Sequence, residues 1–194
     1  NRLHIRIDQL GFGCKGFLKQ RGYRVEIDIE QCGNGVERPV VAAIIQAESG
    51  GNPYAIGVNV RDGQPYPVLV AAKTQAEAAE QARDLSEKGY SFDVGLMQVN
   101  NRNLARFGVD WAQAFDVCGN IAAGTRVFQA FAAQVAQQPQ VYQTADQQLQ
   151  AVLSAYNTGS FTQGFNNGYV ARVMGLMGQP FEPGTLVVAT TAAT

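Results

Sequence analysis

The stretch from Arg38 to Pro53, RPVVAAIIQAESGGNP, does most to limit what this chain can become. Pro39 suits the first turn of a helix, where its missing N–H costs nothing, and Val40, Val41, Ile44 and Ile45 then recur at the spacing of one buried helical face. Steps of four from Val40 through Ile44 arrive at Glu48, which puts a carboxyl on the apolar stripe instead of the solvent side. Gly50, Gly51 and the Asn52-Pro53 turn stop the helix, so Glu48 falls in its last turn. Partial burial and the negative end of the helix dipole both disfavour the carboxylate and raise its pKa. A glutamate that keeps its proton near neutral pH is what acid catalysis at a glycosidic bond requires. The same residues also fit a core helix that ends in a solvated Glu-Ser-Gly-Gly, and this stretch alone leaves both readings open.

With 194 residues the chain is long enough for one domain with a real core and short for two. A formal net charge of −1 offers no electrostatic footprint for nucleic acid. Charged residues make up only 16% of the chain while Gln, Asn, Gly and Ala are abundant, a balance that suits an uncharged polar polymer such as a glycan. No run approaches the ~18 apolar residues of a membrane span. The start at Asn1 lacks Met and a basic-then-apolar leader, as expected of a processed chain or a fragment. Cys14, Cys32 and Cys118 are too dispersed, and too poor in histidine neighbours, for a metal site. Cys32 precedes the Glu48 helix and Cys118 precedes another, which fits a bridge in an oxidising compartment and fits two buried thiols as well. The lone His4 carries no assigned chemistry.

Along the chain, residues 1–31 form a segment of unassigned role, in which LHIRI and YRVEIDI alternate like the strands of a small hairpin. After the Glu48 helix, AIGVNV and PYPVLV flank Arg61-Asp62-Gly63-Gln64, which predicts a second hairpin about an Asp-Gly turn. Thr74 and Glu77 form a capping box ahead of an alanine-rich helix that runs to Lys88 and stops at Gly89. YSFDV then alternates as a short strand before the GLMQVN loop. Helical pieces are expected at Asn103–Phe107 and Asp110–Phe115, and longer helices from Val117, from the Thr144 cap through Tyr156, and from Tyr169 to Met177. Asn120 is expected as a helix cap. Residues 179–194 read as an extended tail. The architecture is α+β: mostly helical, with a small antiparallel sheet beside a cleft.

Four segments occur here in one order: ESGGNP at 48–53, GLMQVN at 95–100, CGNIAAG from Cys118, and SAYNTGS at 154–160 followed by GYVARV at 168–173. In that order they resemble the soluble lytic transglycosylases. The FDVGLMQVN context and the cysteine just ahead of Asn120 are most similar to the VirB1-like branch, associated with type IV secretion and conjugation. The resemblance spans about residues 32–174 and implies a lysozyme-like domain over 32–178. It also implies peptidoglycan as substrate, the periplasm or cell envelope as location and secretion or conjugation components as partners. It further favours the Cys32–Cys118 bridge, with Cys14 left over, and implies that no metal or other cofactor is needed.

Carried over by motif, Glu48 is the single catalytic acid. Ser49 is expected near the reacting sugar or bonded to the helix-end backbone. Met97 and Gln98 wall the cleft, with Gln98 offering its amide to an N-acetyl or hydroxyl group. Tyr156 supplies a hydroxyl that faces the acid, Asn157 lies at the cleft floor, and Tyr169 lies along the glycan groove or is buried. The implied reaction cleaves the β-1,4 bond between N-acetylmuramic acid and N-acetylglucosamine and leaves a 1,6-anhydro end. A lysozyme-type hydrolase would instead need a second carboxylate, Asp93 or Asp62. A weakly active glycan-binding scaffold of a secretion machine is the other alternative.

Overall fold

A computed structural model describes residues 29–178. The expected N-terminal hairpin apart from Ile29, together with His4, Cys14 and the tail from 179, lies outside them. The first element, α1 (Ile29–Cys32), is a short helix, so Ile29 does not end a strand as its alternation suggests. Next, α2 (Arg38–Glu48) begins with its proline in the first turn and ends at Glu48, as the sequence predicts. Its burial is broader than a single stripe. Ala42 and Ala43 are buried along with Val40, Val41, Ile44 and Ile45, which makes α2 a central helix of the core. It packs between α1 and α9 (Tyr169–Leu176).

The sheet differs from expectation in its partners. Strand β1 (Ile56–Asn59) pairs antiparallel with β2 (Ser91–Val94), which pairs with β3 (Val99–Asn100), giving the order β1-β2-β3. The Asp-Gly turn does form, with Gln64 N–H donating to the Arg61 carbonyl at 2.9 Å, but PYPVLV does not return along β1. Pro65 and Pro67 lack the N–H groups a ladder needs. That segment runs as an irregular loop with Tyr66, Val68 and Val70 exposed. YSFDV takes its place because its alternation matches β1: Phe92 and Val94 face the core while Ser91 and Asp93 face outward.

The helices obey their caps. In α3 (Gln75–Glu87) the Thr74 hydroxyl accepts from Glu77 N–H, while Glu77 reaches back to Lys73 N–H, one residue earlier than a full capping box would place it. Thr144 and Gln147 make the complete reciprocal box at the start of α7 (Ala145–Thr158), which ends at Gly159 in the left-handed conformation. Between these lie α4 (Asn101–Phe107), α5 (Trp111–Ala114) and α6 (Val117–Ala136), and after α7 a short α8 (Gln163–Asn166) that no sequence signal announces. The long α6 and α7 pack together, and α9 packs on both α2 and α7. Cys32 and Cys118 are bonded, with Cα atoms 5.0 Å apart across a separation of 86 residues. The bridge ties the end of α1 to the first turn of α6, so only one of its cysteines sits at a helix start.

Asn120 is not a cap. Asp116 caps α6, and Asn120 sits inside that helix at 1% exposure. Its Oδ1 accepts from Met97 N–H at 2.8 Å, and its Nδ2 donates to the carbonyls of Val94 at 2.9 Å and Ala114 at 2.7 Å. One buried amide thus satisfies the backbone where β2 turns into the GLMQ loop. Gly95 makes this possible: its φ is +76°, and a Cβ there would strike the Asn120 amide.

Candidate active site

The outward face of the sheet, the end of α2 and one side of α7 enclose a cleft of about 530 Å³ whose lining includes Glu48, Asp93, Gln98, Tyr156 and Asn157. Glu48 is half-buried at the helix end, and burial is the main cause that pushes its pKa above the usual glutamate value. Tyr169 and Arg172 pull it down and the charge of Asp93 pushes it up. A carboxyl so placed holds its proton longer than a surface glutamate and can still reach a ligand in the cleft.

Strand alternation builds the polar wall opposite the apolar core face. Gly57 and Asn59 of β1, Ser91 and Asp93 of β2 and Asn100 of β3 share one side of the sheet. Asp93 accepts from Asn59 Nδ2 on one carboxyl oxygen and from Asn100 Nδ2 on the other, each at 2.8 Å. Burial raises the Asp93 pKa, and these two amides partly offset the rise. Asp62, the other carboxylate considered from sequence, is exposed in the 61–64 turn and does not line the cleft.

Gln98 reaches the cleft by an unusual backbone, at φ +45°. Its Nε2 donates to the carbonyls of Ala55 at 3.2 Å and Gly95 at 2.9 Å. Those bonds offset the strain of a non-glycine residue in the left-handed region. They also use the donors expected for a sugar, so Oε1 is what Gln98 presents. That oxygen lies over Gly57, where an added Cβ would come within 2.9 Å of it.

Other expected residues take different places. Met97 is fully buried, so its side chain does not wall the cleft. Its carbonyl accepts from the Tyr156 hydroxyl at 2.8 Å, which means that Tyr156 braces the GLMQ loop rather than bonding the acid. The Tyr156 hydroxyl still lies near enough to Glu48 for that charge, after burial, to raise its pKa further. Ser49 caps α2 with Oγ donating to the carbonyls of Leu96 at 2.8 Å and Ile45 at 3.2 Å, so it joins the helix end to the loop and does not line the cleft. Asn157 is exposed at the cleft, its Oδ1 accepting from Asn167 at 2.8 Å.

Tyr169 is buried at 2% exposure and is not a groove residue. Its hydroxyl has no hydrogen-bond partner among the described residues. It lies beside the Glu48 carboxyl without the geometry of a formed bond, yet close enough that each shifts the other: Glu48 downward, Tyr169 well upward, the latter mainly through burial. Arg172, one turn along α9, faces the Tyr169 ring at 5.4 Å and was missed from sequence. Asn59, Ser91, Asn100 and Thr158 were missed as cleft residues too. The alternation of β1 and β2 held the signal for Asn59 and Ser91, hidden by the expected hairpin, while Asn100 sits in the two-residue β3. Among the described residues no group of three His, Cys, Asp or Glu side chains is placed to hold a metal ion.

The transglycosylase SLT domain family matches residues 26–173. The type IV secretion system protein virB1 of Brucella abortus is 37% identical over 151 residues, which cover 75% of this chain and 60% of that protein. Protein virB1 of Agrobacterium fabrum is 34% identical over 146 residues, covering 74% and 55% respectively. Protein virB1 of Rhizobium radiobacter is 31% identical over 146 residues, covering 74% and 56%. The chain therefore spans between 55% and 60% of the length of these relatives. No solved structure matches it significantly. With a family match that runs from ahead of the cysteine bridge into α9, and takes in both the Glu48 helix and the GLMQ loop, this chain belongs to the transglycosylase SLT domain family.

Proposed function

We propose that this domain is a peptidoglycan lytic transglycosylase in which Glu48 serves as acid and then as base. The observation that carries this reading is a desolvated carboxyl with a raised pKa at the end of a core helix, open to a polar cleft. Glu48 donates its proton to the bridging oxygen between N-acetylmuramic acid and N-acetylglucosamine as the C1–O bond breaks and the electron pair leaves with that oxygen. The resulting carboxylate then takes the proton of the muramic C6 hydroxyl, whose oxygen bonds to C1. The product carries a 1,6-anhydro ring and Glu48 is protonated again, with no water consumed. Gln98 Oε1 and Asn157 offer contacts to the glycan at the cleft wall. Relatives named as type IV secretion proteins support a role in opening the wall locally for a secretion or conjugation apparatus, in the periplasm. Among the described residues no helix is long and apolar enough to cross a membrane.

Glu48→Gln keeps shape and polarity but removes the proton. Turnover on purified sacculi should fall at least ~10³-fold while sacculus binding survives, because both proton transfers fail. A variant that digests sacculi at a rate comparable to wild type would overturn the assignment. A hydrolytic lysozyme-type reaction is the second reading, and the observation that favours it is Asp93 in the same cleft.

A further inference from the structure

We infer that Asp93 is a second charged group of the reaction, held by Asn59 and Asn100 on the sheet wall so that its carboxylate faces the sugar ring as positive charge develops at the anomeric carbon. This rests on the glycan-cleaving reading of the site. Asp93 forms no covalent bond here: the C6 oxygen still closes the ring, the proton still returns to Glu48, and Asp93 contributes charge alone.

The sheet prepares that carboxylate in advance. Asn100 lies directly across from Asp93 in the β2–β3 pairing, and Asn59 lies on the neighbouring strand two positions along the same face. Each carboxyl oxygen receives one amide donor at 2.8 Å. The Asn100 amide is not free to turn. It is the N-cap of α4, its Oδ1 accepts from Arg102 N–H at 3.1 Å, and that bond leaves Nδ2 aimed at Asp93 and at the Ser91 hydroxyl, 3.3 Å away. A helix cap thereby fixes the direction of a donor in the cleft. Fixed donors hold a carboxylate in one place without reorganisation during reaction, which is how preorganised charge lowers a barrier. The environments of the two carboxyls also differ in kind. Burial raises the pKa of both, but Asp93 accepts a fixed amide donor on each oxygen, whereas Glu48 is pulled down by Tyr169 and Arg172 and pushed up again by Asp93. A carboxylate held by donors on both oxygens is the better placed of the two to act ionised.

The carboxylate could instead serve only to bind the strands together, and the test separates these roles. Sacculus digestion by the full chain is followed as kcat and KM across pH for wild type, Asp93→Asn and Asn59→Ala. Asp93→Asn should lower kcat by about 10²-fold or more with KM little changed. Asn59→Ala removes a donor from an exposed position and leaves the carboxylate, so the Asp93 pKa rises. Because Asp93 must be ionised, the acidic limb of the rate profile should move to higher pH. The alkaline limb, set by Glu48, should stay. The other titratable or charged groups around the two carboxyls are Tyr156 of α7, Tyr169 and Arg172 of α9, and Arg102 of α4 at the cleft, and none is altered. Asp93→Asn with kcat within about 3-fold of wild type overturns the inference. So does an unmoved acidic limb in Asn59→Ala, which decides the matter alone if Asp93→Asn does not fold. Product chemistry is scored separately. Rate losses with a reducing-end product would keep Asp93 in this role and remove the transglycosylase reading, while an anhydro product with undiminished Asp93→Asn would do the reverse.

Discussion

Around the Glu48 carboxyl stand Tyr169 and Arg172 from α9, Tyr156 from α7 and Asp93 from β2, and burial outweighs them in setting its pKa above the ordinary value. On the proposed reaction the protonated form acts first, so activity should fall as pH rises through that raised pKa. Arg172 stabilises the charged form, so Arg172→Gln removes a downward pull. The pKa of Glu48 then rises further, and the alkaline limb of the kcat/KM profile should move to higher pH. A limb that moves down or stays would show that Arg172 does not act on the acid. Tyr156 offers a different test, because its hydroxyl bonds the Met97 carbonyl. Tyr156→Phe should cost about 1 kcal/mol in unfolding free energy and roughly 10-fold in kcat, with the loop less firmly held beside the acid. Unchanged turnover would reduce Tyr156 to packing.

At the scale of elements, what the sheet and α2 share is the GLMQ loop. Ser49 at the end of α2 bonds the Leu96 carbonyl, Tyr156 bonds that of Met97, and the Asn120 amide serves Val94, Met97 and Ala114 together. Asn120→Ala would strand those buried groups, and a loss of roughly 2–4 kcal/mol in denaturant unfolding is expected. A loss under about 0.5 kcal/mol would mean that the loop finds other partners. The helices were legible because their ends carry chemistry: Pro39, Thr74, Thr144, Gly89 and Gly159 mark starts and stops that the structure keeps. The β1 partner was not legible from turn signals. An Asp-Gly turn specifies a reversal, but the two prolines of PYPVLV withhold the ladder, and the competing strand lies a whole helix further along the chain.

Across the whole molecule, the position of Glu48 could be argued from the sequence, since a four-residue step and a glycine stop locate it within one turn. The rest of the site could not, because it is assembled from long-range contacts. Tyr169 lies more than a hundred positions from Glu48, and its burial beside the acid follows from α9 packing on α2. Helical spacing alone does not distinguish that tyrosine from a groove residue. The bridge between Cys32 and Cys118 belongs to this scale as well, since it closes a loop holding α2, the sheet and α3 to α5. A loop of that length constrains the unfolded chain by about 4.6 kcal/mol on the chain-entropy model. The account as a whole rests on a carboxyl that returns its proton through the sugar's own hydroxyl instead of through water. Digestion of purified sacculi in heavy-oxygen water, followed by mass spectrometry of the released muropeptides, tests this most directly. The account predicts 1,6-anhydro ends that carry no heavy oxygen; reducing ends that carry it would contradict the account.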